Sequence, residues 1–156
     1  GQEHVFNVVA PYFIAGLAGV YSGLGEHMLE ESIAHAKERK YTSGTSLAEI
    51  ETVQIHLAKM YNLVNSSVCA AKEATRSAAA GEEDALAKIL SARIIACEMV
   101  IEAGRLGMRV GGGKAYNKAG CMERLLRDAY AGQIMAPSAD VLTVWLGKAI
   151  TGLPLV

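Results

Sequence analysis

The chain has 156 residues, of which 51% are hydrophobic and 20% charged, with a formal net charge of −1. That length fits one domain, residues 1–156, with a sizeable core. The near-neutral balance argues against a nucleic-acid partner, no apolar run reaches the ~18 residues of a membrane span, and no charged-then-apolar leader pattern opens the chain.

The apolar content predicts helices buried on more than one side, as in an oligomer or a piece of a larger protein. Ile14, Leu17, Tyr21, Leu24 and Met28 recur at helical spacing and predict a first long helix, with Pro11 in its first turn or just inside a longer one. Its end, "HAKERK", carries the basic residues that suit a helix C-terminus. "YTSGTS" breaks the pattern. Ser46 and Glu49 form a capping box ahead of a second helix lined by Leu47, Ile50, Val53, Leu57, Tyr61, Val64 and Val68. That helix fades in "SAAA" before Gly81, and Glu82, Glu83 and Asp84 suit the start of a third. Leu86, Leu90, Ile94, Cys97 and Ile101 mark one face of the third helix, which then meets Gly104, Gly107 and the run Gly111-Gly112-Gly113. A short helix, "CMERLLRDAYAGQ", follows. Pro137 and Ser138 punctuate, and a last helix carries Leu142, Trp145, Leu146 and Ile150. No stretch alternates as a strand does. The expected class is all-α, an antiparallel up-down-up-down four-helix bundle.

"RVGGGKAY" raises the possibility of a phosphate loop. A Walker loop needs a glycine where Met108 stands, a hydroxyl where Ala115 stands, and a strand before it. All three are missing. A helix C-cap needs one glycine with positive φ. The further glycines point to the close approach of a ligand or another backbone. At least one of Gly112 and Gly113 is expected to take a positive φ or to lack room for a Cβ. Cys69, Cys97 and Cys121 are odd in number and form no CxxC pair, which suits a reducing cytoplasm. His4, His27, His35 and His56 show no ligand spacing, and no metal site is expected.

"GRLGMRVGGGKAY" followed by "MERLLRDAYAGQIM", with "HAKERKYTSGTSLAEIETVQIHLAKM" upstream, resembles the C-terminal domain of the acyl-CoA dehydrogenase superfamily. The resemblance runs in order over nearly the whole chain. It implies a helical bundle that is one of the three domains of an FAD-dependent oxidoreductase. The other two are an N-terminal helical and a middle β domain. It also implies a homo-oligomer, dimer or tetramer, whose glycine loop lies against the phosphate-ribose part of a neighbouring subunit's flavin, and an acyl-CoA or other small-molecule substrate. The isolated bundle is then expected to be inactive.

Residue by residue, the family's flavin-binding arginine falls on Lys40, beside Arg39, and its loop glutamine falls on Arg109. Gly112, Gly113 and Tyr116 match the loop, while Ala115 replaces its last glycine. Ser43 and Glu51 replace a phenylalanine and a glutamine. Lys40, Arg109, Gly112 and Gly113 are therefore the candidate cofactor-binding residues. The departure at the catalytic base is larger. The family's glutamate after the R-D pair falls on Ala136, and the alternative position on the first helix falls on Val9. Neither takes a proton. Glu26, Glu30 and Glu123 read as surface charges, Asp128 as a structural partner of Arg127 and Arg124, and Trp145 as core. No catalytic residue is assigned. A flavin-dependent monooxygenase or N-hydroxylase of the same superfamily, which needs no such glutamate, is the competing oxidoreductase. A non-catalytic oligomerisation module is the reading from another class.

Overall fold

The structure, a computed structural model, describes residues 8–155, so His4 lies outside the described residues. Five α-helices occur there: α1 (Ala10–Glu38), α2 (Glu51–Ala80), α3 (Ala85–Ala115), α4 (Met122–Ile134) and α5 (Ala139–Thr151). A 3₁₀ turn, Leu47–Glu49, precedes α2. The expected all-α class is what forms. Among the described residues the only extended pairing is an isolated bridge between Lys40 and Ser46.

Contacts between the helices give their directions. Ala36 of α1, Val53 of α2 and Val110 of α3 share one small core cluster. Near the middle of α1 and α2, the Ser22 and Ser67 hydroxyls lie 2.7 Å apart and are buried. Residue numbers thus fall along α2 as they rise along α1. A Cβ on Gly104 or Gly107 of α3 would meet Met28 or Ser32 of α1, so α3 rises with α1. Leu126 and Met122 of α4 face Gly104 and Gly107 in turn, so α4 runs against α3. The fifth helix, α5, packs on α3 and α4.

The first helix buries Ile14, Tyr21 and Met28 as the periodicity predicts, with Pro11 in its first turn. On α2 the buried stripe is Val53, Met60, Val64, Ser67, Ala74 and Ser77, one position away from the expected Tyr61. Tyr61 is 58% exposed. The capping pair forms: the Ser46 N–H donates to Glu49 Oε1 at 2.7 Å, but it caps the 3₁₀ turn, and Ile50 stands before α2.

The third helix differs most from expectation. It packs against all four other helices and is buried nearly all round. Ala92, Ala96, Ala103, Gly104 and Gly107 make this possible, because small side chains let neighbouring helices approach closely. A Cβ on Gly104 would stand 2.7 Å from Leu126 Cδ1, and one on Gly107 2.8 Å from Met122 Sδ. Leu90, Met60 and Leu142 are fully buried, each contributing roughly 1.5–3 kcal/mol of transfer free energy.

One charged residue lies in this core. Arg93 is fully buried. Its Nη2 donates to the Gly132 carbonyl at 3.0 Å, its Nη1 touches Cys97 Sγ, and its guanidinium stands 4.7 Å from the centroid of the Tyr21 ring. The Cys97 thiol donates to the same carbonyl at 3.1 Å. Arg93 Nε has no partner. Burial pulls its pKa down, and Tyr21 works against that shift.

The α2–α3 turn ends on Gly81 with φ +66°, where the Glu82 N–H closes back on the Ser77 carbonyl at 3.1 Å. The acidic run there binds side chains as well as suiting the helix start. Arg76 pairs with Glu73 at 2.7 Å and Glu82 at 2.8 Å, and Lys88 with Glu82 at 2.8 Å and Asp84 at 3.0 Å. Hydrogen bonds from Arg76 hold the carboxyls of Glu73 and Glu82 down to about 2. Asp128 is not the partner expected for Arg127, which reaches back one turn to Glu123 at 3.5 Å. Instead Asp128 lines a cavity of about 560 Å³ with Val20, Leu24, His27 and Met135.

Candidate functional site: a basic cleft at the glycine break

The chain leaves α1 at Glu38 and enters a small hairpin. Tyr41 N–H donates to the Thr45 carbonyl at 2.9 Å, and Leu47 N–H donates to the Arg39 carbonyl at 2.8 Å. Gly44, with φ +87°, makes the reversal. The "YTSGTS" segment that interrupts the helical pattern therefore fixes the backbone of Lys40.

Arg109 comes from the last regular turn of α3. Three residues later the helix breaks: Gly112 takes φ +52° and ψ −137°, far from helical values, as expected for one of the central glycines. Gly113 keeps negative φ. No atom lies within 4 Å of where a Cβ would stand on Gly112 or Gly113, so this backbone faces open space. The buried cluster of Ala36, Val53 and Val110 supports it from beneath.

Between the hairpin and the break lies a cleft of about 920 Å³, lined by Lys40, Arg109, Gly112 and Gly113 together with Arg39 and Lys114. All four candidate residues meet there. Four cations face one carboxylate, Glu38. His35 adds no reliable charge, since burial, then Lys114 and Arg39, push its pKa below the ordinary imidazole value. On α2, His56 is shifted the same way by burial and then by Arg109, and its Nδ1 is buried without a hydrogen-bond partner. Such a cleft suits an anion: its four cationic side chains are donors only and outnumber the one carboxylate, and its floor is backbone that a bulky anionic group can approach. Its residues fit the pyrophosphate of a dinucleotide.

The two positions on which the resemblance puts the family's base are also described. Ala136 is exposed on the short segment between α4 and α5, and Val9 is exposed at the start of α1. Spacing along the chain did not reveal one grouping. His27 and Glu31 of α1 face Cys121, at the N-cap of α4, with a donor atom of each within 4.8 Å of the others. Burial and then Glu31 raise the Cys121 thiol above its ordinary pKa.

The chain belongs to the acyl-CoA dehydrogenase family: residues 15–151 match its C-terminal domain. A probable acyl-CoA dehydrogenase of Mycobacterium tuberculosis, FadE25, is 27% identical over 128 residues, 82% of this chain and 33% of that protein. Cyclohex-1-ene-1-carbonyl-CoA dehydrogenase of Geobacter metallireducens is 24% identical over the same shares. The chain thus spans about a third of the length of the curated relatives it matches. Among solved structures, a putative acyl-CoA dehydrogenase from Mycobacterium smegmatis superposes with a TM-score of 0.85 at 21% identity, covering 90% of this chain and 37% of that one. PigA with FAD and proline superposes at 0.83 and 18% identity, covering 90% and 36%. At these identities the superpositions establish a shared fold. No helix among the described residues is long and apolar enough to cross a membrane.

Proposed function

We propose that this chain is the C-terminal bundle of an FAD-dependent acyl-CoA dehydrogenase-like oxidoreductase, and that its basic cleft receives the pyrophosphate end of FAD held by a neighbouring subunit. The observation that carries this reading is the meeting of Lys40 and Arg109, from distant parts of the sequence, at the Gly112 break. Lys40 and Arg109, with Arg39 and Lys114 beside them, would neutralise the phosphates, and Gly112 and Gly113 would admit them without a side chain in the way. FAD, when bound, supplies the two-electron acceptor for oxidation of an acyl-CoA. The domains that complete the flavin site in the family lie outside this chain, so the chain by itself is expected to be inactive.

The test is flavin retention in the full-length protein. A hydrogen bond to a charged group contributes about 1.5–3 kcal/mol, so Lys40→Glu with Arg109→Glu is expected to weaken FAD binding by at least about 10-fold. Both side chains are exposed, so the unfolding midpoint of the FAD-free protein should stay put. Undiminished FAD affinity in the double variant would place the flavin elsewhere.

Ala136 and Val9 favour a second reading, a flavin-dependent monooxygenase or N-hydroxylase of the same superfamily, because neither position offers a carboxylate. A bundle that only associates with partners differs from both in binding no flavin, which the absorbance of the purified full-length protein tests. The cysteine usage favours a cytoplasmic location.

Association belongs to the same proposal. Tyr12 is 80%, Ile134 81% and Ile150 70% exposed. Apolar groups of that size on the outer faces of three helices suit a homo-oligomer. Light scattering of the chain at high concentration should report a dimer or tetramer; a monomer would count against the interface.

A further inference from the structure

Two of the ligand types that bind transition metals stand one turn apart on α1, His27 and Glu31, where the helix sets them on one face. The third, Cys121, arrives from the start of α4. We propose that His27, Glu31 and Cys121 form a binding site for a divalent transition metal of the zinc class, with a fourth coordination position open to solvent.

The donor set chooses the metal. One imidazole nitrogen, one carboxylate oxygen and one thiolate sulfur suit Zn²⁺ and its neighbours, whereas Ca²⁺ and Mg²⁺ take oxygen ligands throughout. The three donor atoms lie within 4.8 Å of one another. In a tetrahedral site with bonds of about 2.0–2.3 Å, ligand atoms stand roughly 3.3–3.8 Å apart. Closing that gap takes about 1 Å of side-chain motion. His27 and Glu31 are exposed and have rotamers free to supply it. Cys121 is the fixed corner: its carbonyl accepts the first hydrogen bond of α4, from Leu125 N–H at 2.9 Å, and its neighbour Met122 is buried against Gly107.

Glu30 adds a separate feature. Its Oε2 lies 3.9 Å from His27 Nδ1. That is beyond hydrogen-bond length, and a small rotation of either side chain would let the carboxylate accept from Nδ1–H, orient the imidazole and leave the other ring nitrogen for the metal. A bound ion would tie the middle of α1 to the N-cap of α4. Glu31 and Cys121 line a smaller cavity that adjoins the basic cleft through His35, Glu38, Gly111 and Lys114, while Lys40 and Arg109 line the cleft alone.

Cobalt(II) is the probe. Added to the reduced, metal-free full-length protein, it should bind at one equivalent, with a sulfur-to-cobalt charge-transfer band and visible bands of tetrahedral type, and Zn²⁺ should displace it. Cys121→Ser should abolish the charge-transfer band, and Cys69→Ser, at an exposed thiol on α2, should leave it intact. His27→Gln and Glu31→Gln, at exposed positions that leave the fold unchanged by circular dichroism, should each weaken binding at least about 10-fold, and Glu30→Gln by about 10-fold. No charge-transfer band at millimolar cobalt would overturn the site. So would a band that survives Cys121→Ser or vanishes in Cys69→Ser, or unchanged affinity in His27→Gln and Glu31→Gln.

Discussion

Ala136→Glu in the full-length protein is expected to accelerate anaerobic reduction of its flavin by acyl-CoA esters by about 10²–10⁴-fold, the usual contribution of a positioned general base. Dehydrogenation of an acyl thioester removes an α-proton as hydride leaves the β-carbon. Neither Ala136 nor Val9 accepts that proton. The segment around Ala136 is held at both ends. Met135 N–H donates to the Ala131 carbonyl at 2.9 Å, and Ser138 Oγ accepts from Val141 N–H at 3.5 Å to cap α5. Ala136 itself is exposed, so a longer side chain meets no core. Stopped-flow bleaching of wild type and variant under argon is the measurement. Slow wild-type bleaching that speeds up in the variant supports the assignment of position 136. Fast wild-type bleaching, indifferent to that position, sinks it. Slow bleaching by every ester, with rapid consumption of O₂ by flavin reduced from NAD(P)H or a partner, favours the monooxygenase.

The second large effect is in the core. Arg93→Ala is expected to cost about 3–5 kcal/mol, as for other large fully buried side chains, because the bundle closes only partly around the space left behind. Arg93→Met should recover most of that loss. Two effects compete in the methionine variant. The Gly132 carbonyl loses a charge-assisted donor, a loss of roughly 1–3 kcal/mol, but it keeps the Cys97 thiol at 3.1 Å. Against this, an arginine with no carboxylate among its contacts no longer has to be desolvated, which commonly costs several kcal/mol. Denaturant titration of the three proteins decides. If methionine proves as damaging as alanine, the bond to Gly132 outweighs the desolvation.

Helix existence and class were legible because the apolar residues of α1, α2 and α5 recur at helical spacing, even where the position proves exposed, as at Ile150. The errors have physical causes. Tyr61 was expected in the core, yet its neighbour Met60 takes that place, since an unbranched thioether fits an irregular gap and a phenol can stay in water. The third helix looked one-sided because alanine and glycine carry little weight in a hydrophobic pattern, although they allow four neighbours to pack on it. The cleft was only partly legible. The positive φ of Gly112 followed from the glycine run. Lys40 and Arg109 look like two helix-end charges in the sequence, and only the family likeness joined them. His27 and Glu31 stand four apart on one helix, a weak signal alone, and Cys121 joins them from far along the chain, which no spacing shows.

The sulfurs facing the core glycines make this bundle sensitive to oxidants in a particular way. Met99 Sδ lies 2.8 Å from where a Cβ on Gly25 would be, Met122 Sδ 2.8 Å from that place on Gly107, and Met28 Sδ 3.4 Å from that place on Gly104. Each thioether fills the notch left by an absent side chain. Conversion to the sulfoxide adds a polar oxygen to that sulfur, where the space is already taken and the surroundings are largely apolar. All three are shielded while the bundle is folded, at 3%, 6% and 0% exposure for Met99, Met122 and Met28. Damage there requires an opening of the helices, and a chain oxidised while open cannot close again as before. The methionines thus record how often the bundle has come apart in the presence of peroxide, and a sulfoxide reductase would be needed to erase the record.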